Sequence, residues 1–312
     1  MLDPKNGNLL VPPDKLSTGV GTPLQPSGLS TVRAFTSSRR DPYVLQAYSG
    51  DLLGNVWRFD LSDPNEANWK VELIAKLTDR PGKPQPITTG VRIEIDQNNN
   101  VDRYLFVGTG KLLGVDDRTP PGINDIKDSS VVNSLYVIRD GTRLAAEPAP
   151  ANQSPARAPY SRDDLNAVNA SDTKGFSGAP TGRGWYQDAT DPTEKIGTDV
   201  YADVQTVVYA FSKPSTDPCA PPLSSRLYAR DLTTGNSVLE SPGGGIVAGY
   251  DIGSGIAGVA LIQSAAGSGG SASGEVRALV TTMKGEVFSF GIKLSPATLA
   301  KHRLSWRLLN RN

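Results

Sequence analysis

With 32 Lys plus Arg against 32 Asp plus Glu in 312 residues, the chain carries no net charge, which excludes the basic field that draws proteins to nucleic acid or anionic lipid. Its 32 Gly and 24 Pro imply many turns and few long helices, and its single cysteine, Cys219, excludes an internal disulfide or a zinc site of several thiolates. No apolar run approaches the ~20 residues of a membrane-spanning helix, and MLDPKNGNLLVPPDKLS lacks the charged start and apolar centre of a secretion signal.

Residues 1–30 show neither helical nor strand periodicity and read as a lead-in segment. From Tyr43 the pattern changes. YVLQAYSG (Tyr43–Gly50) is a β-prone run, Asp51–Asn55 supplies turn chemistry, and Val56–Leu61 sets Val56, Arg58 and Asp60 on one face and Trp57, Phe59 and Leu61 on the other. Asp51 and Asn55 are expected to organise the turn by bonding nearby backbone amides. The same grammar returns in Arg103–Asp117 with Ser134–Thr142, in Gln205–Lys213 with Ser225–Asn236, and in Val276–Leu294, turned at Lys284-Gly285. In three of these hairpins the outer strand ends in Asp: Asp60, Asp140 and Asp231. A short helix is expected at Arg162–Val168 within the long insertion 144–182, and Ser264–Glu275 reads as a flexible spacer.

One hairpin cannot bury both of its faces, so such units must stack or close into a ring. The expectation is an all-β fold, a modified or partial β-propeller of antiparallel hairpins with long loop insertions, spanning residues 31–312. Variable insertion lengths fit blade connections better than a solenoid.

Several stretches, taken in order, resemble the C-terminal propeller of the PilC/PilY type IV pilus assembly and adhesion proteins. They are TGVGTPLQPSGLS (Thr18–Ser30), YSGDLLGNVWRFDL (Tyr48–Leu61), PQPITTGV (Pro84–Val91), LFVGTGKLLGVDD (Leu105–Asp117), GRGWYQD (Gly182–Asp188), RLYARDLTTGN (Arg226–Asn236) and ALVTTMKGEVFSF (Ala278–Phe290). HRLSWRLLN (His302–Asn310) resembles the family's C-terminal end. The resemblance implies a non-enzymatic protein of the pilus tip, outer membrane or cell surface, exported by a signal upstream of this chain. Such a protein supports pilus extension against retraction, twitching motility and attachment. Its expected partners are minor pilins or the pilus tip and a host-surface ligand, met by the loops at 114–133, 144–182 and 262–275. Competing readings are a propeller enzyme such as a quinone-dependent dehydrogenase, for which no clear pocket set is visible, and a nonfunctional fragment of a longer adhesin.

Calcium is the one cofactor for which the residues offer a place. In DQNNNVD, Asp96, Asn98, Asn100 and Asp102 alternate and could turn oxygens towards one hard cation, although the loop lacks the Gly and distal Glu of a hand-type site. Family members commonly carry an Asp/Asn calcium loop just before the YxGDLxGN hairpin. Here FTSSRRDPYV (Phe35–Val44) stands instead, and its two arginines would repel a cation. GTGKLL (Gly108–Leu113) fails as a phosphate loop because Leu112 replaces the magnesium-binding Ser or Thr. The sole histidine, His302, and the incomplete elbow GFSGA (Gly175–Ala179) give no nucleophilic triad, so no catalytic residue is assigned. Trp57 and Phe59 are expected in the core, whereas Trp185 and Tyr186, beside Gly182 and Gly184, are expected to form an exposed contact with a partner.

Overall fold

The structure, a computed structural model, describes residues 5–12, 14–24, 26–36, 43–96, 102–113, 131–140, 159–215, 223–263 and 276–294. Among these are 16 strands in four sheets, with helical structure limited to short turns. The first sheet runs β1 (Arg33–Thr36), β2 (Val44–Gly50), β3 (Asn55–Asp60), β4 (Lys70–Lys76). The second has the order β5 (Arg92–Ile95), β6 (Arg103–Gly108), β7 (Ser134–Asp140), β9 (Gly184–Asp188), β8 (Asn166–Val168), with β8 parallel to β9. The third runs β10 (Tyr201–Asp203), β11 (Thr206–Pro214), β12 (Leu223–Asp231), β13 (Tyr250–Ile252), and the fourth β14 (Ile256–Gln263), β15 (Val276–Thr282), β16 (Val287–Ile292).

The expected hairpins are the pairs β2–β3, β6–β7, β11–β12 and β15–β16. Their middle strands are apolar on both faces for a physical reason. On β6, Leu105 and Val107 enter a core shared with the first sheet, while Tyr104 and Phe106 enter one shared with the third. On β11, Val207, Tyr209 and Phe211 face the second sheet, and Val208 and Ala210 the fourth. A strand buried on both sides loses the polar alternation of a half-exposed one. A further cluster of Ala47, Trp57, Phe59 and Leu61 covers the outer face of the first sheet, with Leu16 of the lead-in packed against it. Trp57 and Phe59 are therefore core, as expected.

Consecutive sheets also meet along their first strands: β1 touches β5, β5 touches β10, and β10 touches β14. Close approach at the end of β2 requires a residue without a side chain, since a Cβ on Gly50 would lie 2.3 Å from a methyl of Ile87. That contact is fixed by the Ile87 amide, which donates to the Asp51 carbonyl at 2.9 Å.

Two expectations are corrected. The helix at Arg162–Val168 is a 3-10 turn at Arg162–Asp164 followed by β8, because the Asn166–Val168 backbone pairs with β9. The loop placed at 262–275 begins later, since β14 continues to Gln263.

Candidate functional site

The GDLLGNVWRFD hairpin is a scaffold built on one carboxylate. Asp51 is 0% exposed, and its Oδ1 accepts from the amides of Leu53 and Asn55, both at 2.9 Å. Its Oδ2 accepts from Asn55 Nδ2 and Trp57 Nε1, again at 2.9 Å. The turn is thus tied to the aromatic on the following strand.

Other buried polar groups link one sheet to the next. Between the first and second sheets, Arg58 donates to Asp140 at 2.9 Å and to Glu72, and Tyr48 also donates to Asp140. Burial, followed by the Asp140 charge, raises the Tyr48 pKa well above the ordinary tyrosine value. Burial opposes the Arg58 charge, but Asp140 and Glu72 outweigh it and raise the guanidinium's pKa. Arg103 donates to Gln46 and lies 4.4 Å from the Phe35 ring centre. Between the second and third sheets, Tyr209 and the fully buried Arg230 both donate to Gln187 Oε1 at 2.7 Å, and Arg230 also donates to the carbonyls of Gly235, Asn169 and Asp172. In these places the ionisable chemistry is spent on architecture.

The exposure expected of Trp185 and Tyr186 is corrected. Trp185 is 0% exposed, packs among Tyr209, Phe211 and Tyr228, and donates to the Leu232 carbonyl at 2.9 Å. Tyr186 is 6% exposed, belongs to the core between the first two sheets, and lies under Arg162, 4.0 Å from its ring centre. The flanking glycines misled because Gly184 opens a strand, not a loop. A Cβ there would fall 1.9 Å from the Val137 carbonyl oxygen, so glycine is what lets β9 approach β7.

Of the residues read as calcium ligands, Asn98 and Asn100 lie outside the described residues. At the described ends, Asp96 accepts from Gln205 Nε2 at 2.7 Å, Asp102 accepts from Arg139 at 2.6 Å, and the Asp96 amide donates to the Asp102 carbonyl at 2.7 Å. Gln205 joins the loop to the third sheet. Among the described residues no three His, Cys, Asp or Glu side chains gather in a metal-holding group. Cys219 and His302 lie outside the described residues.

One place where charged groups of several sheets stay accessible is a cleft of about 210 Å³ where the four first strands converge. Arg33, Gly90, Arg92, Asp199, Tyr201 and Gly258 are among its lining residues. Asp199 joins three sheets, lying just before β10 while accepting from Arg33 of β1 and from the Gly90 amide, at 3.0 Å, ahead of β5. Arg92 pairs with Glu94 and sits 5.5 Å from the Tyr201 ring centre. This arrangement, with the Asp199 carboxylate between Arg33 and the Thr198 and Tyr201 hydroxyls along its wall, can hold a polar ligand by charge and hydrogen bonding. No sequence spacing foretold it, because its members are brought together only by the convergence of strands from four sheets.

No family model matches the chain. The type IV pilus biogenesis factor PilY1 homolog of Xylella fastidiosa strain Temecula1 is 34% identical over 119 residues, covering 38% of this chain and 8% of that protein. The type IV pilus biogenesis factor PilY1 of Pseudomonas aeruginosa strain PAO1 is 26% identical over 251 residues, covering 67% of this chain and 21% of that protein, and the strain PAK protein gives the same values. A solved structure, Saccharomyces cerevisiae Sqt1, aligns with 85% of this chain and 73% of its own at 10% identity, but its TM-score of 0.25 decides nothing about the architecture. The chain is thus similar, at modest identity, to type IV pilus biogenesis factors, and its matches span about a fifth or less of their length.

Proposed function

We propose that this chain is a section of β-propeller from a type IV pilus biogenesis protein and that it acts by binding, without turnover. The observation that carries the reading is the 251-residue similarity to a protein named as a pilus biogenesis factor. Its support in the fold is the way consecutive sheets pack face to face and meet along their first strands, which is how propeller blades surround an axis. On this reading the bonded sheets, β8 and the end of β14 among them, are a rigid base, and the connecting stretches within 114–133 and 144–182 and those after Gln263 are where minor pilins, the pilus tip or a host-surface ligand are met. The working location is the pilus tip, outer membrane or cell surface. The protein supports extension against retraction, twitching and attachment. The non-enzymatic reading is supported by the use of Asp51, Asp140 and Arg230 as structural bonding groups.

The test is deletion of the gene in a background without a second copy, scored for surface pili, twitching and attachment. All three should fall and return on complementation with the intact gene, but not with one lacking this region. Unchanged piliation and attachment would overturn the proposal. An absorbance spectrum of the purified protein separates the enzyme alternative, since the binding reading expects no quinone band.

A further inference from the structure

We propose that the cleft where β1, β5, β10 and β14 converge binds a sugar acid, one pyranose ring carrying one carboxylate. Size sets the first limit. At about 210 Å³ the cleft is smaller than the roughly 300–1,000 Å³ that holds a drug-sized molecule, so it takes a group about as large as one monosaccharide. Room is kept on the β14 side, where a bulge between Ile256 and Gly258 interrupts the pairing with β15. Gly258 puts no side chain into that space, and a Cβ there would meet no atom within 4 Å.

The other walls have hydrogen-bonding capacity left over. Arg33 donates to Asp199 through Nη2, and Gly90, whose Cβ would fall 2.7 Å from Arg33 Nε, lets that side chain lie across the backbone. Its Nε and Nη1 have no partner among the described residues. Arg92 donates through Nη2 to Glu94 and to the Ala202 carbonyl at 3.2 Å, which leaves Nη1 in the same condition. The Thr198 and Tyr201 hydroxyls bond no other described group. Donors thus outnumber acceptors, so the ligand must be rich in oxygen.

Charge narrows the class further. Arg33 is balanced by Asp199 and Arg92 by Glu94, so the cleft has no net charge with which to hold a dianion such as phosphate. An ammonium group would face two guanidiniums. A single carboxylate suits them, because a guanidinium edge offers it two parallel N–H bonds. Hydroxyls on the same ring can accept from Thr198 and Tyr201 and donate to the half-exposed Asp199 carboxylate. A ring bearing both groups is a uronate, free or at the end of a polysaccharide. Nothing in this site depends on the pilus reading, and the pilus phenotype of a deletion strain does not bear on it.

Calorimetric titration of galacturonate into the full chain tests the site. Binding should saturate at one per chain, galactose should bind roughly tenfold more weakly, and inorganic phosphate should not displace galacturonate. Arg92→Gln should weaken binding roughly tenfold. Gly258→Leu fills the space with every charge left in place and should abolish binding; it is read alone if the arginine variant has a lowered urea midpoint. Trigalacturonate separates the two sources: tighter binding than the monomer assigns a polysaccharide end, and equal or weaker binding assigns the free acid. Four results overturn the proposal: no saturable binding of galacturonate or its trimer, galactose bound as tightly, displacement by an equal concentration of phosphate, or affinity unchanged in Gly258→Leu.

Discussion

Replacing Asp51 with alanine removes the acceptor on which the first hairpin turn is built. Four donors lose their partner: the amides of Leu53 and Asn55, Asn55 Nδ2 and Trp57 Nε1. Leu53 is half-buried and its amide can turn to water, but Asn55 and Trp57 are buried, so the other donors stay inside. Each stranded buried donor costs about 1–3 kcal/mol, and three in one network cost roughly 3–6 kcal/mol once partial relaxation is allowed for. Asp51→Asn keeps the volume and one carbonyl acceptor and should cost roughly 1–3 kcal/mol, because its amide opposes two donors. Equilibrium urea unfolding followed by tryptophan fluorescence gives both values. A loss under about 1 kcal/mol for the alanine variant, or an asparagine variant less stable than it, would refute the claim that this carboxylate organises the hairpin.

Gly50→Ala should cost about 1–3 kcal/mol by overpacking against Ile87, and an unchanged urea midpoint would contradict the close approach. Burial pushes Tyr104 and Tyr228 up to about 12 and raises Tyr48, Tyr136, Tyr160 and Tyr209 as well. Because these folded values exceed the unfolded one near 10, the stability they contribute is complete below pH ~10 and is lost as pH rises through 12 and above. Phenolate absorbance should therefore show these six unionised until alkaline unfolding, and ionisation of all ten near pH 10 in a folded chain would contradict their burial. Hydrogen bonds from Lys213 and then Thr193 hold Asp191 down to about 2, a depressed folded value whose contribution is present above pH ~4 and lost as pH falls through 2. Lys213→Met should move Asp191 back up in a carboxylate NMR titration; no movement would remove Lys213 as the cause. Because Asp102 is paired with Arg139 and Asp96 with Gln205, a calcium titration by calorimetry should show no saturable binding at this loop; binding abolished by Asp102→Asn would restore the calcium reading.

The hairpins β2–β3, β6–β7, β11–β12 and β15–β16 were legible because long apolar runs and small-residue turns are local signals. The flanking strands were not. Strand β5 has only half-buried residues and β13 is three residues long, so each is held by its neighbours and has little pattern of its own. The repeated aspartates show the limit of motif reading. Asp60 bonds Ser62 and Asp231 bonds Thr233 and Thr234, which are local turns, whereas Asp140 reaches across to Arg58 and Tyr48 of another sheet. The same residue at the same place in the grammar does different work, because the partner sheet is invisible along the chain. Trp185 and Tyr186 failed for a related reason, since only strand pairing distinguishes a glycine that permits close approach from one that marks a loop.

Successive sheets bond face to face, the first two through Arg58 and Asp140. A double-mutant cycle across these two sheets checks that stacking, using Arg58→Met, Asp140→Asn and the pair, with urea unfolding as the readout. Contact between these buried groups predicts a coupling of roughly 1–3 kcal/mol. Additive single effects, with coupling below about 0.3 kcal/mol, would contradict the stacking on which the fold and the proposed role depend.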